Sequence, residues 1–275
     1  MFSIIEFNGG LGNQMFQYAF YLQLKKRHPL NLFLFDIELS QECHNGYEID
    51  KIFQIDSTKQ TRNFRLIKRF VPYLINSSKI ITHENGLQYK EKYLNEKSLF
   101  VRYEGYWQSE LYFLDIEDIV RKVFSFRLDN LSHQTKSLSS KINQGNFVSV
   151  HIRRGDYLTT GFYGPCTPAY YQRAMENIQT IIPQATFVFF SDDIKWVKEN
   201  IKTSNGIYVS WNKGIDSWQD MYLMSQCSHN IIANSSFSWW GAWLNNNPRK
   251  IVIAPNRWFD ACPNYDILPS TWKTM

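Results

Sequence analysis

Cysteine is scarce in this sequence, and the spacings typical of zinc sites are missing. The 275 residues include four cysteines, at positions 43, 166, 227 and 262, with no CxxC pair and no histidine at ligand spacing. Zinc fingers and disulfide scaffolds need a denser or more regular pattern. The sequence therefore argues against both, and we expect four reduced thiols.

Long apolar runs are missing as well. No segment approaches the ~20 apolar residues that cross a bilayer, and the first seven residues carry no basic leader. These absences predict a cytoplasmic protein. A basic stretch contains Arg62, Arg65, Lys68 and Arg69 interspersed with apolar residues. We expect a solvated helix face there, and an amphipathic helix in peripheral contact with the inner face of the membrane is the alternative.

The glycine-rich loop Gly9-Gly10-Leu11-Gly12-Asn13-Gln14 lacks the marks of common nucleotide sites. Met15 stands where a dinucleotide fingerprint has its third glycine, and no Walker Lys-Ser/Thr pair follows, which disfavours NAD and ATP loops. The loop joins a predicted strand (2–7) to a predicted helix (14–27), so its amides could bind an anion at the positive helix end. A tight turn without a ligand is the alternative.

The composition is that of a globular protein with extra aromatic rings and positive charge. Aromatic residues make up 16% of the chain, and the net charge is +5. The charge indicates an anionic partner, which could be a nucleotide diphosphate, a nucleic acid or an acidic lipid surface. The rings suit sugar contacts, although filling a core explains most of them.

Alternating strands and helices predict an α/β fold with a parallel sheet. The predicted strands of the second half are 147–152, 186–191, 207–211, 230–233 and 251–254, and the helices between and after them are 168–182, 194–201, 217–228 and 237–245. Thr167-Pro168 is typical of a helix start, and Ser217 to Asp220 resembles a capping box.

The first half is regular only at its beginning. A strand is predicted at 31–35, whereas 38–143 shows no clear alternation. The polar run 136–146 is a predicted linker. Because the length also favours two domains, we divide the chain into domains 1–140 and 141–275.

Two adjacent arginines follow the predicted strand 147–152. In the run His151-Ile152-Arg153-Arg154-Gly155-Asp156-Tyr157, two cations come directly after a buried strand, which is costly unless an anion meets them. A guanidinium fork matches a diphosphate well. A structural ion pair with Asp156 is the alternative, and it explains one arginine better than two.

Polar side chains follow two more predicted strands. Ser191-Asp192-Asp193 lies at a strand end, where open α/β sheets bind ligands. Its carboxylates could hold a metal, accept from the N1–H and amino group of guanine, or cap the next helix; we expect one to cap and the other to be left for a ligand. Asn234-Ser235-Ser236-Phe237 begins a helix, where hydroxyls could lie beside a phosphate or only cap the helix.

Together these stretches resemble the α-1,2-fucosyltransferases of glycosyltransferase family 11. The resemblance covers nearly the whole chain, and five motifs carry it in the family's order: 9–18, 105–109, 151–157, 191–193 and 234–243. It implies an α/β, GT-B-like architecture of two facing Rossmann-like domains with a cleft between them. The first domain would meet the acceptor, and the second would bind GDP-fucose.

The resemblance also implies roles for individual residues. Arg153 would contact the β-phosphate with Arg154 in support, and no metal is expected because that charge can stabilise the leaving group. The implied donor-binding residues are Gly10, Gly12, Asn13, His151, Arg153, Arg154, Asp192, Asp193, Ser235, Ser236 and Phe237. The acceptor would be a galactose-terminated glycan, with a lipid-linked form as one alternative, and no nucleic acid is expected.

The implied reaction is a single inverting displacement, in which an acceptor hydroxyl attacks fucose C1 and GDP leaves. Related α-1,6-fucosyltransferases place a glutamate shortly after the corresponding arginines, but residues 157–167 contain no Asp or Glu. Asp156 is therefore the candidate base, and His151 is interpreted as a core histidine. A dissociative reaction with weak base assistance is the alternative.

Three other functions stay open at this level. The chain could use another nucleotide sugar or form another fucosyl linkage. A tryptophan-rich lectin would explain the aromatic residues but gives no use to Arg153 and Arg154. A nucleic-acid binder fits the net charge, yet the basic residues form no sustained patch.

Overall fold

The computed structural model describes residues 1–42, 44–82, 88–158, 164–259 and 266–275. The chain divides into two compact units. Unit 1 comprises Met1–Arg127 with Tyr265–Ile267, and unit 2 comprises Leu128–Asn264 with Leu268–Met275.

Unit 1 is an α/β unit that begins with the predicted strand and helix. Within the described residues its 3-10 helices are Glu91–Asn95, Glu110–Tyr112 and Leu114–Ile116. Its other elements are β1 (Phe2–Glu6), α1 (Leu11–Arg27), β2 (Leu32–Asp36), α2 (Glu38–Gln41), α3 (Ile49–Ile52), α4 (Thr58–Phe70), α5 (Pro72–Asn76), β3 (Lys79–Thr82), β4 (Phe100–Glu104) and α6 (Glu117–Val123).

The sheet of unit 1 is parallel, with strand order β2-β1-β4-β3. On one face, Phe2, Ile4 and Leu34 pack with Phe64 of α4. Elsewhere in the unit, the rings of Phe20 and Trp107 stack with centroids 4.1 Å apart. Burial of these large side chains supplies the hydrophobic free energy that holds the helices to the sheet.

Unit 2 repeats the alternation of strand and helix. Within the described residues its 3-10 helices are Leu128–Asn130, Asp156–Leu158 and Gly214–Asp216. Its other elements are α7 (His133–Ile142), β5 (Phe147–Ile152), α8 (Pro168–Ile181), β6 (Thr186–Ser191), α9 (Ile194–Asn200), β7 (Gly206–Val209), α10 (Trp218–Gln226), β8 (His229–Ile231), α11 (Ser236–Trp243), β9 (Val252–Ala254) and β10 (Lys273–Thr274).

The sheet of unit 2 is parallel too, with strand order β10-β9-β8-β5-β6-β7. Its central strands are buried on both faces, which is why they read as continuous apolar runs. Val148, Val150 and Phe187 form a core with Met175 and Ile178 of α8. Helix α8 starts as predicted, since Thr167 Oγ1 accepts from the backbone N–H of Tyr170 and Pro168 occupies the first turn.

Several predictions about local structure were wrong. The polar run 136–146 is not a linker, because most of it belongs to α7, which Ser132 caps and which buries Leu138 and Ile142. Ser217 makes no side-chain capping bond at α10, so the predicted capping box is absent. The stretch 38–143 contains two strands, β3 and β4, that alternation did not reveal.

Two further properties concern the membrane and the thiols. In the part of the chain that the structure describes, no helix has the length and apolar character needed to span a bilayer. Cys166 and Cys227 are free thiols, as predicted, whereas Cys43 and Cys262 lie outside the described residues.

Candidate active site

The strand order of unit 2 reverses between β5 and β8. From β5 the chain proceeds to β6 and β7 on one side and then crosses to β8 on the other. Open α/β sheets bind ligands beyond the carboxyl ends of the strands at such a switch point. The predicted motifs His151 to Asp156 and Ser191 to Asp193 begin within the last residues of β5 and β6 and continue beyond them, and Asn234 to Phe237 follows β8. The structure therefore brings three predicted motifs to one edge of one sheet.

His151, in β5, is almost completely buried. Burial lowers the pKa of its imidazole to about 3, and the charge of Arg153 acts in the same direction. The ring is therefore neutral at neutral pH. Its Nδ1 is buried with no hydrogen-bond partner among the described residues, and the ring of Phe237 lies 5.8 Å away, centroid to centroid.

Arg153 follows β5 and is held by two carboxylates. Its Nε donates to Asp156 Oδ1 (2.9 Å), and its Nη1 lies 3.3 Å from Asp192 Oδ2. Burial lowers the pKa of this guanidinium, but the bond to Asp156 and the charges of Asp192 and Asp156 raise the pKa above its usual value. These contacts use two of the five N–H donors of a guanidinium, so the group can meet a further anion.

Asp192 holds the loop that follows β5. Its Oδ1 accepts from the backbone N–H of Arg154 (3.0 Å), and its Oδ2 accepts from that of Gly155 (3.1 Å). A Cβ at position 155 would lie 2.8 Å from Asp192 Oδ2, so a larger residue there would push the Asp192 carboxylate aside. The Asp192 carboxylate thus organises the turn that carries Arg153.

Arg154 and Asp193 face the start of α9. The Arg154 guanidinium lies 3.7 Å from the ring centroid of Trp196, and its Nε is 3.4 Å from Asp193 Oδ2. Asp193 Oδ1 caps α9 by accepting from the backbone N–H of Trp196. The prediction that one carboxylate caps the helix is confirmed. The other carboxylate, Asp192, was expected to be left for a ligand, but it is bonded to the protein.

The start of α11 forms the third part of this edge. Asn234 is buried, and its Nδ2 donates to the carbonyl oxygens of Gly164 and Trp258. Tyr157 Oη donates to the backbone oxygen of Asn234 (2.9 Å), which joins the loops after β5 and β8. Ser235 precedes the helix without making a side-chain capping bond, and Ser236 and Phe237 form the first turn, so hydroxyl and amide groups can receive an anion there.

The glycine loop of unit 1 follows β1, where the strand order of that sheet reverses towards β4. Gly9 adopts φ +74°, and a Cβ there would meet Asn13 Nδ2 at 2.5 Å. Asn13 Oδ1 accepts from Gln108 Nε2 (2.7 Å) in the loop after β4. Motifs 9–18 and 105–109 thus meet at the switch point of unit 1, with Gly10 at the N-cap of α1 and Gly12 in its first turn.

Two buried glutamines of α1 fix this arrangement, and sequence reasoning gave neither a role. Gln17 accepts from the backbone N–H of Asn8 (3.1 Å) and donates to the carbonyl of Gly105 (3.0 Å). Gln14 donates to the carbonyl of Gly9 and accepts from the backbone N–H of Glu48. A buried amide on an otherwise apolar helix face is the signal that could have identified them.

Within 1–42, 44–82, 88–158, 164–259 and 266–275, no three His, Cys, Asp or Glu side chains are grouped so that they could hold a metal ion.

Comparison with known proteins identifies relatives along the whole chain. The model of glycosyl transferase family 11 matches residues 1–272. An alpha-1,2-colitosyltransferase of Escherichia coli is 36% identical over 96% of this chain and 95% of the relative. The O-antigen biosynthesis glycosyltransferase WbnK of Escherichia coli is 31% identical over 98% of each. Galactoside alpha-(1,2)-fucosyltransferase 1 of Pan troglodytes is 28% identical over 86% of this chain and 63% of the relative.

A solved structure shares the fold. The alpha-1,6-fucosyltransferase NodZ, co-crystallised with GDP, superposes with a TM-score of 0.55 over 92% of this chain and 94% of NodZ, at 14% identity. The family model and the fold agree with the two parallel α/β sheets described above. The chain therefore belongs to glycosyltransferase family 11, and it is a glycosyltransferase with the GT-B fold of two Rossmann-like domains.

Proposed function

We propose that this chain is an inverting fucosyltransferase that moves L-fucose from GDP-β-L-fucose to the 2-hydroxyl of a galactoside, in surface polysaccharide or oligosaccharide synthesis. The observation that carries the proposal is Arg153, held by two carboxylates at the switch point of a Rossmann-like sheet. The names of an α-1,2-fucosyltransferase relative and of an O-antigen glycosyltransferase support the substrate class and the pathway.

In the proposed reaction, the acceptor O2 attacks fucose C1 from the face opposite the diphosphate. The C1–O bond to the β-phosphate breaks, GDP leaves with the bonding electrons, and the hydroxyl proton passes to a base. The β-linked donor becomes an α-linked product. The enzyme must therefore stabilise charge on the diphosphate, align the acceptor and remove one proton.

Arg153 is proposed to stabilise the leaving diphosphate. Because the guanidinium is fixed by Asp156 and Asp192 before donor binds, it needs little reorganisation as negative charge develops. Fixed charges of this kind typically lower the activation barrier by about 3 kcal/mol or more. A metal ion is not required for this role, so we propose a reaction that proceeds without one. Full activity in excess EDTA is the expected result.

His151, Ser235, Ser236 and Phe237 are proposed to bind the donor beside Arg153. A neutral imidazole whose buried Nδ1 has no partner among the described residues fits a neutral hydrogen bond to a donor hydroxyl or phosphate. The Ser235 hydroxyl, which makes no capping bond to α11, fits a phosphate oxygen. Arg154 is proposed as a supporting contact, and the glycine loop with Gly10, Gly12 and Asn13 as a further one.

Asp193 is proposed as the residue that reads guanine. Both carboxylates of the pair have protein partners, but those of Asp193 are fewer and its side chain is 40% exposed, against 25% for Asp192. A carboxylate can accept about four hydrogen bonds, which leaves capacity for the N1–H and 2-amino group. Asp192 is proposed to position the turn of Arg153.

Asp156 is proposed as the base. It lies one residue beyond Gly155 on the same turn as Arg153, and 157–167 holds no other acidic residue. Its Oδ1 accepts from Arg153 Nε (2.9 Å), so the carboxylate lies beside the residue that is proposed to contact the leaving diphosphate.

Colitose, the 3-deoxy counterpart of L-fucose, is a second candidate donor sugar. It is favoured by the 36% identity to an alpha-1,2-colitosyltransferase. A site that hydrogen-bonds the 3-hydroxyl of fucose should reject colitose by about 10⁴-fold, because a buried polar group would be left unpaired. Similar rates with both sugars would indicate that the site does not bind this hydroxyl.

A donor and acceptor screen tests the proposal. Donor hydrolysis is measured with GDP-fucose, GDP-colitose, GDP-mannose and UDP-sugars, followed by transfer to a glycan array and linkage analysis of the product. We expect turnover of GDP-fucose and an α-1,2 product on terminal galactose. Sugar binding without GDP affinity would overturn the proposal in favour of a lectin, and turnover restricted to another nucleotide sugar would reassign the donor.

A further inference from the structure

The segment 57–82, which contains α4, α5 and β3, has an extreme charge. It holds six basic residues and no aspartate or glutamate, whereas the whole chain has a net charge of +5. The basic residues are Lys59, Arg62, Arg65, Lys68, Arg69 and Lys79. The remaining 249 residues therefore have a net charge of about −1, so the net positive charge of the protein comes from this segment.

Within the described residues of unit 1, α4 packs against the core through one face. Phe64 is buried in the core formed with Phe2, Ile4 and Leu34, and Ile67 packs against the same core. At 100° per residue, Arg62, Leu66 and Arg69 lie on the opposite side of the helix from Phe64. They are exposed.

Large apolar side chains accompany these cations at the surface. Leu66 is 46% exposed, Phe70 is 69% exposed, and Tyr73 at the start of α5 is 75% exposed. Several such side chains close together on one segment form an exposed apolar patch of the kind that marks an interaction site. We name Arg62, Arg65, Leu66, Arg69, Phe70 and Tyr73 the α4 face.

Acidic neighbours neutralise only part of the charge. Lys68 pairs with Glu38 in α2, and Lys79 pairs with Glu96 at 2.7 Å. Among the described residues, neither Arg62 nor Arg65 has an ion-pair partner. The α4 face therefore presents uncompensated positive charge beside exposed apolar side chains.

We propose that the α4 face docks on the surface of a bilayer that contains anionic phospholipids. Anionic headgroups attract the arginines, and the interfacial region accepts Phe70, Tyr73 and Leu66. The phosphates of a nucleic acid would engage the cations and its bases could stack on Phe70 and Tyr73, but neither group gives a reason for the exposed Leu66. The α4 face shares no residue with the proposed donor site, and the proposal does not rest on the proposed function.

Co-sedimentation of the full chain with vesicles tests the proposal. Vesicles of zwitterionic phosphatidylcholine alone are compared with vesicles containing one quarter phosphatidylglycerol, at about 0.1 M salt. We expect binding to the anionic vesicles only. Replacement of Arg62→Gln with Arg65→Gln should weaken it roughly thirtyfold, since each cation near an anionic surface contributes about fivefold. Phe70→Ser should weaken it about tenfold.

The matched control removes two exposed cations from another helix. Lys136→Gln with Lys141→Gln in α7 should leave vesicle binding unchanged, and donor hydrolysis should be unchanged in every variant. Equal losses in both double variants, or binding that ignores phosphatidylglycerol, would overturn the proposal. A third outcome would overturn it in favour of a nucleic-acid face. In that outcome the protein retains RNA but binds no vesicles, and RNA retention is lost in the Arg62/Arg65 variant but kept in Phe70→Ser.

Discussion

Arg153 and Asp192 form an ion pair, with Nη1 3.3 Å from Oδ2, that joins the loops after two neighbouring strands of unit 2. The same carboxylate accepts from the backbone N–H groups of Arg154 and Gly155. The direction of the Arg153 guanidinium therefore depends on the geometry of a turn as well as on its own rotamer. Substitutions around this turn can separate the effect of the Arg153 charge from the positioning of Arg153 and from the recognition of guanine.

Loss of the Arg153 side chain should abolish most turnover. Arg153→Ala removes a fixed charge that stabilises the transition state at the leaving diphosphate by about 3 kcal/mol or more, so kcat should fall at least about 100-fold. Arg173→Ala, an exposed arginine in α8, is the matched control and should behave like the wild type. Initial rates with saturating donor provide the measurement. Near-normal turnover of Arg153→Ala would remove Arg153 from the reaction.

Two substitutions of Asp156 separate proton uptake from positioning. Asp156→Asn keeps an oxygen that can accept from Arg153 Nε, whereas Asp156→Ala keeps none. If Asp156 is the base, both variants should lose at least about 100-fold in kcat, while Asp156→Asn binds GDP with a wild-type Kd. Calorimetry and single-turnover kinetics measure the two quantities. Substantial turnover in Asp156→Asn alone would show that Asp156 only positions Arg153.

Guanine recognition is tested by comparing GDP with IDP, which lacks the 2-amino group. Asp193→Asn should reduce the preference for GDP by roughly tenfold or more, because it removes a charged acceptor. It should not unfold α9, since asparagine is an equally good N-cap. Asp192→Asn is the matched control, and it should lower stability by about 1–3 kcal/mol with an unchanged preference. A changed preference in Asp192→Asn instead would reverse the two roles.

The sequence predicted unit 2 far better than unit 1, and for a physical reason. Strands β5 and β6 have the predicted bounds, 147–152 and 186–191, because strands buried on both faces are continuous apolar runs between clear helix caps. Strand β4 was missed because Arg102 and Glu104 interrupt it. Arg102 is acceptable there because Glu6 of the adjacent strand β1, Asp36 of β2 and Glu104 pair with it, and the chain order does not reveal the contacts with β1 and β2.

The candidate active site, like the fold, could be predicted only in part. Motifs at strand ends could be predicted, since parallel strands bring their carboxyl ends to one edge. Their internal partners could not. Stacking of Arg154 on Trp196 and the bond from Tyr157 to Asn234 depend on tertiary geometry.

Asp220 should make stability depend on pH. Burial raises the pKa of this carboxyl to about 7, although the bond from Asn212 Nδ2 (2.8 Å) lowers it. A pKa raised above the unfolded value of about 3.9 gives stability that is complete below that value and lost as pH rises through about 7. Asp220→Asn keeps an acceptor oxygen for Asn212 but cannot ionise. The free energy of unfolding of the variant, relative to that of the wild type, should therefore increase by on the order of 2 kcal/mol as the pH rises from 5 to 8. Urea unfolding across this range measures it, and a constant difference would contradict the assignment.

Two buried glutamines of α1 give a matched test of the loop contacts in unit 1. Gln17 bonds to Asn8 and Gly105 in two different loops, whereas Gln23 has a buried Oε1 without a partner among the described residues. Gln17→Leu removes two bonds in a buried site and should cost about 2–4 kcal/mol in the free energy of unfolding. Gln23→Leu removes this unsatisfied oxygen together with one bond from the side-chain amide to Asp115, so it should cost about 1 kcal/mol or less. Chemical denaturation of both variants measures the difference. Equal costs would mean that burial of the α1 side chains, rather than the tie between the loops, sets the stability of unit 1.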